Sequence, residues 1–405
     1  MSTEQLATRS VPRPHEAGYE VVERKGIGHP DTLADGIAEL ASIRYAQFCE
    51  REFGVIPHHN LDKVAVFGGR VLFGDNDGEF VRPVRVIFGG RASTSFGGKP
   101  IPVREILEAA AHEQLRTALP GYARTPVEVR HETTDSSKFP HWFTPRGVED
   151  LPETRSIRAS DTAFLVGSAP YTKTETAAVL AESFMQSHPW TGSDIKVLAT
   201  RTGTACDLTL CVPVLAGSLS TSAEFHELLN TATGDLLAML SEALPGPVRV
   251  RCNTRGNTAA PPLSCQYFTV SGSAIDYGED GMVGRGNARS GLISPLHVAG
   301  NEALFGKNPT YQVGKVGAWL VDQAAAELSR RFGPSRVSVS WATGTPYSDP
   351  AFTDIACDGD PAEADEIVMG ALARTDWLPS LVAGERYRPA VRPYKEIAAE
   401  LLGSA

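Results

Sequence analysis

In this chain, short β-rich runs come in pairs broken by glycine or aspartate turns, and runs with helical spacing follow them. The β-rich runs are 64–67, 81–88, 207–214, 248–252, 267–270 and 337–341, composed largely of residues that suit a pleated surface. One pair, 71–73 and 80–88, is split by Gly74-Asp75-Asn76-Asp77-Gly78. Val103, Ile106, Leu107, Ala110, Ala111 and Leu115 recur at three- and four-residue steps, the spacing of one helical face. Similar spacing occurs over 33–48, 174–185, 225–244 and 316–328, and a short helix is expected over 394–402. Adjacent strands ahead of each helix argue against a helical bundle, a pure sandwich and a regular βαβ alternation. The fold class expected is α+β, with roughly three β-rich blocks that each carry one or two helices. No repeat is visible in the letters themselves. The segment 140–152, with its three prolines, reads as a linker.

At about 150 residues per domain, 405 residues leave room for two or three domains. Each would be long enough for its own core. The 48 acidic and 38 basic side chains give a formal net charge of −10, which argues against a nucleic-acid or membrane-surface binder. No apolar run approaches the roughly 18 residues of a membrane helix. The polar start MSTEQLATRSVPRPHE lacks the apolar stretch of a signal peptide. Six scattered cysteines form no CxxC pair and read as reduced thiols. A soluble, cytoplasmic protein of several domains is expected.

Three segments could carry chemistry. In 23–36, Pro30 stops any earlier helix, and Asp31 or Thr32 is placed to cap the next. His29 and Asp31 would then sit at a helix N-terminus, where free N–H groups favour phosphate. A carboxylate beside that phosphate calls for a bridging Mg2+; the plain alternative is a capped turn with an exposed histidine. In 278–287, GEDGMVGRGN, the glycines let backbone amides approach an anion and Arg285 can grip phosphate bidentately. Glu279 and Asp280 would supply acids for a metal there, unless the loop is simply solvated. In 305–315, FGKNP and VGK invite a P-loop reading that fails, because Asn301 and Asn308 stand where that loop needs Gly and Ser or Thr. Lys307 remains a point charge for phosphate. His58 and His59 would point to opposite faces of a strand and so cannot easily share a metal. Asp161 and Asp194, beside β-rich runs, read on their own as structural. There is no zinc spacing, GxSxG elbow or dinucleotide fingerprint.

Taken in order, ERKGIGHPDTLADGIAE, HHNLDKV, GGRAS, SDTAFLVGSAP, SDIKV, EDGMVGRGN with GLISP, and GKNP with VGK resemble the archaeal-type S-adenosylmethionine synthetase family (methionine adenosyltransferases). GIGHPDT, GMVGRGN and GKNP are the most specific of these. The resemblance implies three similar intertwined α/β domains about a pseudo-threefold axis. One domain would combine 1–20 with 136–262, a second would span 21–135, and a third 263–405. It further implies a homodimer or higher homo-oligomer with active sites between subunits, using ATP and L-methionine with Mg2+, and with K+ as a further candidate ion. The family reaction is attack of the methionine sulfur on C5′ of ATP, with the released triphosphate cleaved to pyrophosphate and phosphate.

Displacement at C5′ develops negative charge on the leaving O5′, so fixed positive groups or hydrogen-bond donors are needed there. By resemblance His29 meets this oxygen, while Lys196, Arg285 and Lys307 hold the triphosphate with help from Lys63, Lys315, Gly284 and Asn287. Asp31, Asp194, Glu279 and Asp280 are the implied Mg2+ partners, and Asp161 the acid that holds the amino acid or nucleoside. A thioether sulfur carries no proton, so positioning and charge are most of the catalysis. Two stretches depart from the family. His131–Trp142 stands where a GQGS-type stretch usually helps to hold the amino acid. His297 and Phe305 replace a family Arg and Ala. Besides methionine adenosylation, two other readings follow: ATP cleavage with a different nucleophile, for which His131, His141 or His297 could be the base, and a non-catalytic ATP-binding regulatory subunit.

Overall fold

Three four-stranded sheets share one plan in the computed structural model of this chain, which describes residues 6–8, 17–151, 156–254, 262–288, 290–384 and 387–403. Each sheet has a central antiparallel pair, one strand added in parallel, and a fourth added antiparallel on the opposite edge. In the first sheet the pair is Val64–Phe67 with Val84–Phe88, flanked by Val127–His131 and Gly281–Met282. In the second it is Lys196–Thr202 with Ala205–Cys211, flanked by Val248–Cys252 and Tyr19–Lys25. In the third it is Ser335–Trp341 with Phe352–Ala356, flanked by Leu6–Thr8 and Ala163–Ala169. The repeat hidden from the letters is therefore a repeat of topology.

Each sheet carries a long helix that precedes its central pair and a second helix that follows it. These are α1 (Pro30–Phe53) and α2 (Val103–Ala118), α3 (Lys173–Gln186) and α4 (Ser222–Ala243), and α5 (Val313–Phe332) and α6 (Pro361–Leu372). Helices α7 (Trp377–Ala383) and α8 (Tyr394–Leu402) close the chain. The strand immediately before each long-helix unit pairs in another unit's sheet: Tyr19–Lys25 in the second, Ala163–Ala169 in the third, Gly281–Met282 in the first. This cyclic exchange is how the three units intertwine. It also cuts across the expected domain borders: Ala163–Ala169, placed by sequence with 1–20, lies in the third sheet, and Gly281–Met282, placed in 263–405, lies in the first. Leu6–Thr8, placed by sequence with 136–262, joins the third sheet.

Helical spacing located α1 to α5 and α8 but missed α6 and α7. The signal for α6 was present in Asp360, whose side chain accepts from the Ala362 and Glu363 amides ahead of Pro361 in the first turn. The proline-rich segment 140–152 has one 3₁₀ turn, Val148–Asp150, and is anchored by buried Phe143 and Leu151. Among the described residues no helix is long and apolar enough to cross a membrane.

Helix α1 is buried almost all round, and its buried polar side chains include Asp31, Asp35, Glu39 and Ser42. Steps of four and three residues put these on one face, and that polar stripe organises the site.

Candidate active site

The chain enters α1 through a passage only glycine fits. Gly26 N–H donates to Ile195 O at 2.7 Å and Gly28 N–H to Ser193 O at 3.0 Å. A Cβ on Gly28 would lie 2.2 Å from Ser193 Oγ. This contact brings SDIKV beside GIGHP, so that His29, Asp194 and Lys196 line one cleft of about 730 Å3 with Glu279, Asp280 and Tyr267.

The N-cap of α1 is His29, two residues before Asp31 and three before Thr32, the expected caps. Its Nδ1 accepts the Asp31 N–H at 3.2 Å, with Pro30 in the first helical position. An accepting Nδ1 leaves the ring proton on Nε2. Burial lowers the imidazole below its ordinary value, Asp194 opposing and Lys25 assisting. His29 is thus a neutral ring offering one N–H. Burial raises the Asp194 carboxyl, against the pull of His29 and the Ala274 N–H that donates to Oδ2 at 2.9 Å. Lys196 is half exposed and pairs with Glu23 at 3.0 Å.

The glycine-rich loop wraps the first two turns of α1 and is read by the polar stripe. Asp31 accepts from Met282 N–H at 3.0 Å and from Lys25 Nζ at 2.9 Å. Against the upward push of burial, the Met282 amide and Lys25 hold its carboxyl below the usual range. Asp35 accepts from Gly284 N–H at 2.7 Å, and burial drives its carboxyl well up. Asn287 clamps the Lys25 backbone from both sides, at 2.9 and 2.7 Å. The Arg285 side chain is exposed, while its carbonyl accepts from Lys25 Nζ at 2.6 Å.

The second half of the stripe holds the other basic segment. Glu39 pairs with Lys315 and accepts the Gly306 N–H at 3.1 Å; Ser42 donates to Lys307 O at 3.0 Å. Lys307 pairs with Glu302, and both lysines are buried. Burial lowers Lys315, with Glu39 opposing. At 1.5 Å rise per residue, Asp31 and Ser42 lie about 16 Å apart along the helix. Within one chain, therefore, Lys307 and Lys315 do not reach the His29 cleft. Asp161 is exposed beside Ser160, whose Oγ accepts the Val313 N–H at 3.1 Å, which places it near the Lys315 end. Lys63 is exposed and pairs with Asp62 at 2.7 Å.

His58 and His59 do diverge: His59 Nε2 meets Ser42 Oγ at 2.8 Å, while His58 stacks on Trp142 with ring centroids 4.2 Å apart. Burial lowers His58 to about 4 and His59 to about 3. Of the other histidines, His131 stacks on Phe88, and His297 lies between Glu20 at 3.1 Å and Glu175 at 3.4 Å.

Sequence reasoning missed Lys25, Asp35, Glu39 and Ser42. The signal was acids and a serine at four- and three-residue steps in a helix whose other residues from Leu33 to Ile43 are apolar or glycine. The four acids expected at a metal do not converge. Among the described residues, the only His, Cys, Asp or Glu trio with ligand atoms within 4.8 Å is Glu20, Glu175 and His297, away from the cleft. Asp194, Glu279 and Asp280 nevertheless give the cleft hard oxygen donors, and Mg2+ needs only one or two carboxylates when phosphates complete its shell.

A cleft of this kind, a capped helix N-terminus ringed by lysine, acids and amide-rich glycine loops, is suited to a nucleotide's phosphates. The sequence profile of S-adenosylmethionine synthetase (AdoMet synthetase) matches residues 4–367. An S-adenosylmethionine synthase of Pyrococcus furiosus is 33% identical over 351 residues, 83% of this chain and 84% of that one. An uncharacterized protein of Streptococcus pyogenes serotype M3 is 35% identical over 331 residues, 79% of this chain and 80% of its own. Among solved structures, an unusual S-adenosylmethionine synthetase from Campylobacter jejuni superposes with a TM-score of 0.55 at 14% identity, covering 95% of this chain and 99% of that one, a likeness of fold. The chain belongs to the S-adenosylmethionine synthetase family.

Proposed function

We propose that this protein forms S-adenosylmethionine from ATP and L-methionine, releasing pyrophosphate and phosphate. The observation that carries the reading is His29, a neutral imidazole whose cap bond fixes the proton on Nε2, in a cleft with Lys196 and Asp194. A fixed N–H donor at the leaving O5′ stabilises the charge that grows there without first losing a proton. Lys196 and Arg285 would neutralise the triphosphate, with the amides of the glycine loop behind them. Asp194, Glu279 and Asp280 would hold Mg2+, with Asp31 behind them, and the ion would supply charge neutralisation of the phosphate oxygens.

Lys307, Lys315 and Asp161 sit too far along α1 to serve the same cleft. In this reading a second copy of the chain brings its Lys307 half to the His29 half, giving a homodimer with two shared sites. The test is mass spectrometry of products from ATP, Mg2+, K+ and L-methionine, with phosphate and pyrophosphate followed in parallel. Methionine-dependent S-adenosylmethionine is the expected product; its absence overturns the reading.

One observation favours a second reading, in which another nucleophile attacks C5′. The segment that departs from the family places Trp142 flat against His58, whose Nδ1 bonds the Tyr311 hydroxyl at 2.8 Å. Triphosphate release supported by another amino acid or thiol, and not by methionine, would select it.

A further inference from the structure

Behind the glycine loop, between the units, lies a second cavity of about 480 Å3. It is within the range of small-molecule sites and shares none of its lining residues with the His29 cleft. Its walls come from all three units: Asp35 of α1, Glu182 of α3 and Asp322 of α5. The segment around Arg388 and helix α8 forms another side.

Two charged groups on this wall are incompletely satisfied. Glu182 has a side chain only 3% exposed, and its Oε2 meets Arg24 at 3.4 Å. Its Oε1 is buried with no hydrogen-bond partner, and so is Arg24 Nε. Burial pushes the Glu182 carboxyl up, with Arg24 and the Ile27 N–H opposing. A buried acceptor or donor left without a bond is costly, more so when charged. A natural sequence rarely keeps one of each side by side without a use for them.

The rest of the lining narrows the chemistry. Carboxylates at Glu182, Asp322 and Glu400 oppose a polyanion, while Arg24, Arg388 and Arg392 oppose a simple cation. Phe305, the bulky residue standing where the family has Ala, gives the cavity an apolar face together with Ile397. We infer that this cavity is an effector site for a small apolar α-amino acid, its ammonium meeting Glu182 and its carboxylate meeting Arg24. The site lies one residue's thickness from the chemistry. Asp35 and Asn287 both line it, and they hold the Gly284 amide and the Lys25 backbone on the other side. An occupant that moves either residue changes the loop that faces the nucleotide, which is a coupling between two sites.

The test is isothermal titration calorimetry on the full-length protein without ATP, using L-leucine, L-valine and L-methionine. Propionate and propylamine serve as half-ligands. At least one amino acid is expected to bind, and the half-ligands at least 10-fold more weakly. Glu182→Gln should weaken binding at least 10-fold and leave triphosphate release without amino acid unchanged. Ala326→Met, which fills the cavity without touching a charge, should weaken binding equally and covers the case in which Glu182→Gln unsettles α3. His29→Asn should bind the amino acid as the parent does. No binding up to 10 mM overturns the inference, because the two groups then stay as they are without an occupant. Binding kept in both Glu182→Gln and Ala326→Met overturns it too, since the amino acid then occupies another site.

Discussion

His29 and Asp31 are locked together by a hydrogen bond from the Asp31 amide to the His29 ring at 3.2 Å. One contact starts the helix and chooses the tautomer. Asparagine can still cap a helix but has no imidazole N–H. His29→Asn should therefore keep the melting temperature within a few degrees and lower the rate of triphosphate release by about 10²–10⁴-fold. An equal loss of stability and rate, by thermal melting and phosphate release, would make the ring structural only.

If each site is shared between two copies, two inactive variants should rescue one another. Random pairing of His29→Asn with Lys307→Met subunits makes half the dimers mixed, and each mixed dimer has one site with both halves intact. Activity should return to about a quarter of the parent's after co-refolding. No recovery would place both residues in one chain's site.

Lys315 and Glu39 form a buried ion pair deep in the fold. Removing one partner leaves the other as an uncompensated buried charge, at a cost of about 3–5 kcal/mol. Lys315→Met should lower the denaturant midpoint accordingly, and the double variant with Glu39→Gln should recover much of it. A double variant no better than the single would show that the Gly306 amide, not Lys315, is what Glu39 serves.

The histidines predict opposite limbs of a stability profile. His58 and His59 are lowered to about 4 and about 3. Between those values and about 6.5 the unfolded chain binds more protons than the folded one, so stability falls as pH drops through that window. His297 behaves in reverse. Against the downward push of burial, Glu175 and Glu20 raise it to about 9, so its contribution is full below about 6.5 and lost as pH rises through 9. Melting temperatures from pH 4 to 10 should show both limbs, and His297→Gln should flatten only the alkaline one. His297→Arg, the family residue, should also remove the alkaline fall while keeping the charge.

What could be read from the letters was local. Pro30 after His29 fixed the start of α1, and the glycines of 278–287 marked the amide-rich loop, because caps and turns are decided by neighbours in sequence. What joins these segments was not readable. Glu23 and Ile293 exchange backbone bonds at 2.8 and 2.9 Å across 270 positions, and no local pattern encodes such a pairing. The polar stripe was hidden for a different reason. Asp35 and Glu39 look like solvated helix residues until the third unit is seen to cover them. Lys307 was readable as a basic residue beside a glycine, but not that it lies near Ser42, well along α1 from His29 of its own chain.

The strand exchange has a consequence for synthesis on the ribosome. Leu6–Thr8 is made roughly 340 residues before its partner Phe352–Ala356. At about 5–20 residues per second that is a wait of roughly 20–70 s. Tyr19–Lys25 waits for Lys196–Thr202, and Val64–Phe67 for Gly281–Met282. No nascent fragment that stops before Phe352–Ala356 has all three sheets complete. A ribosome that stalls in the last unit therefore leaves Leu6–Thr8 and Ala163–Ala169 without their partners, ready to pair with strands of a neighbouring chain.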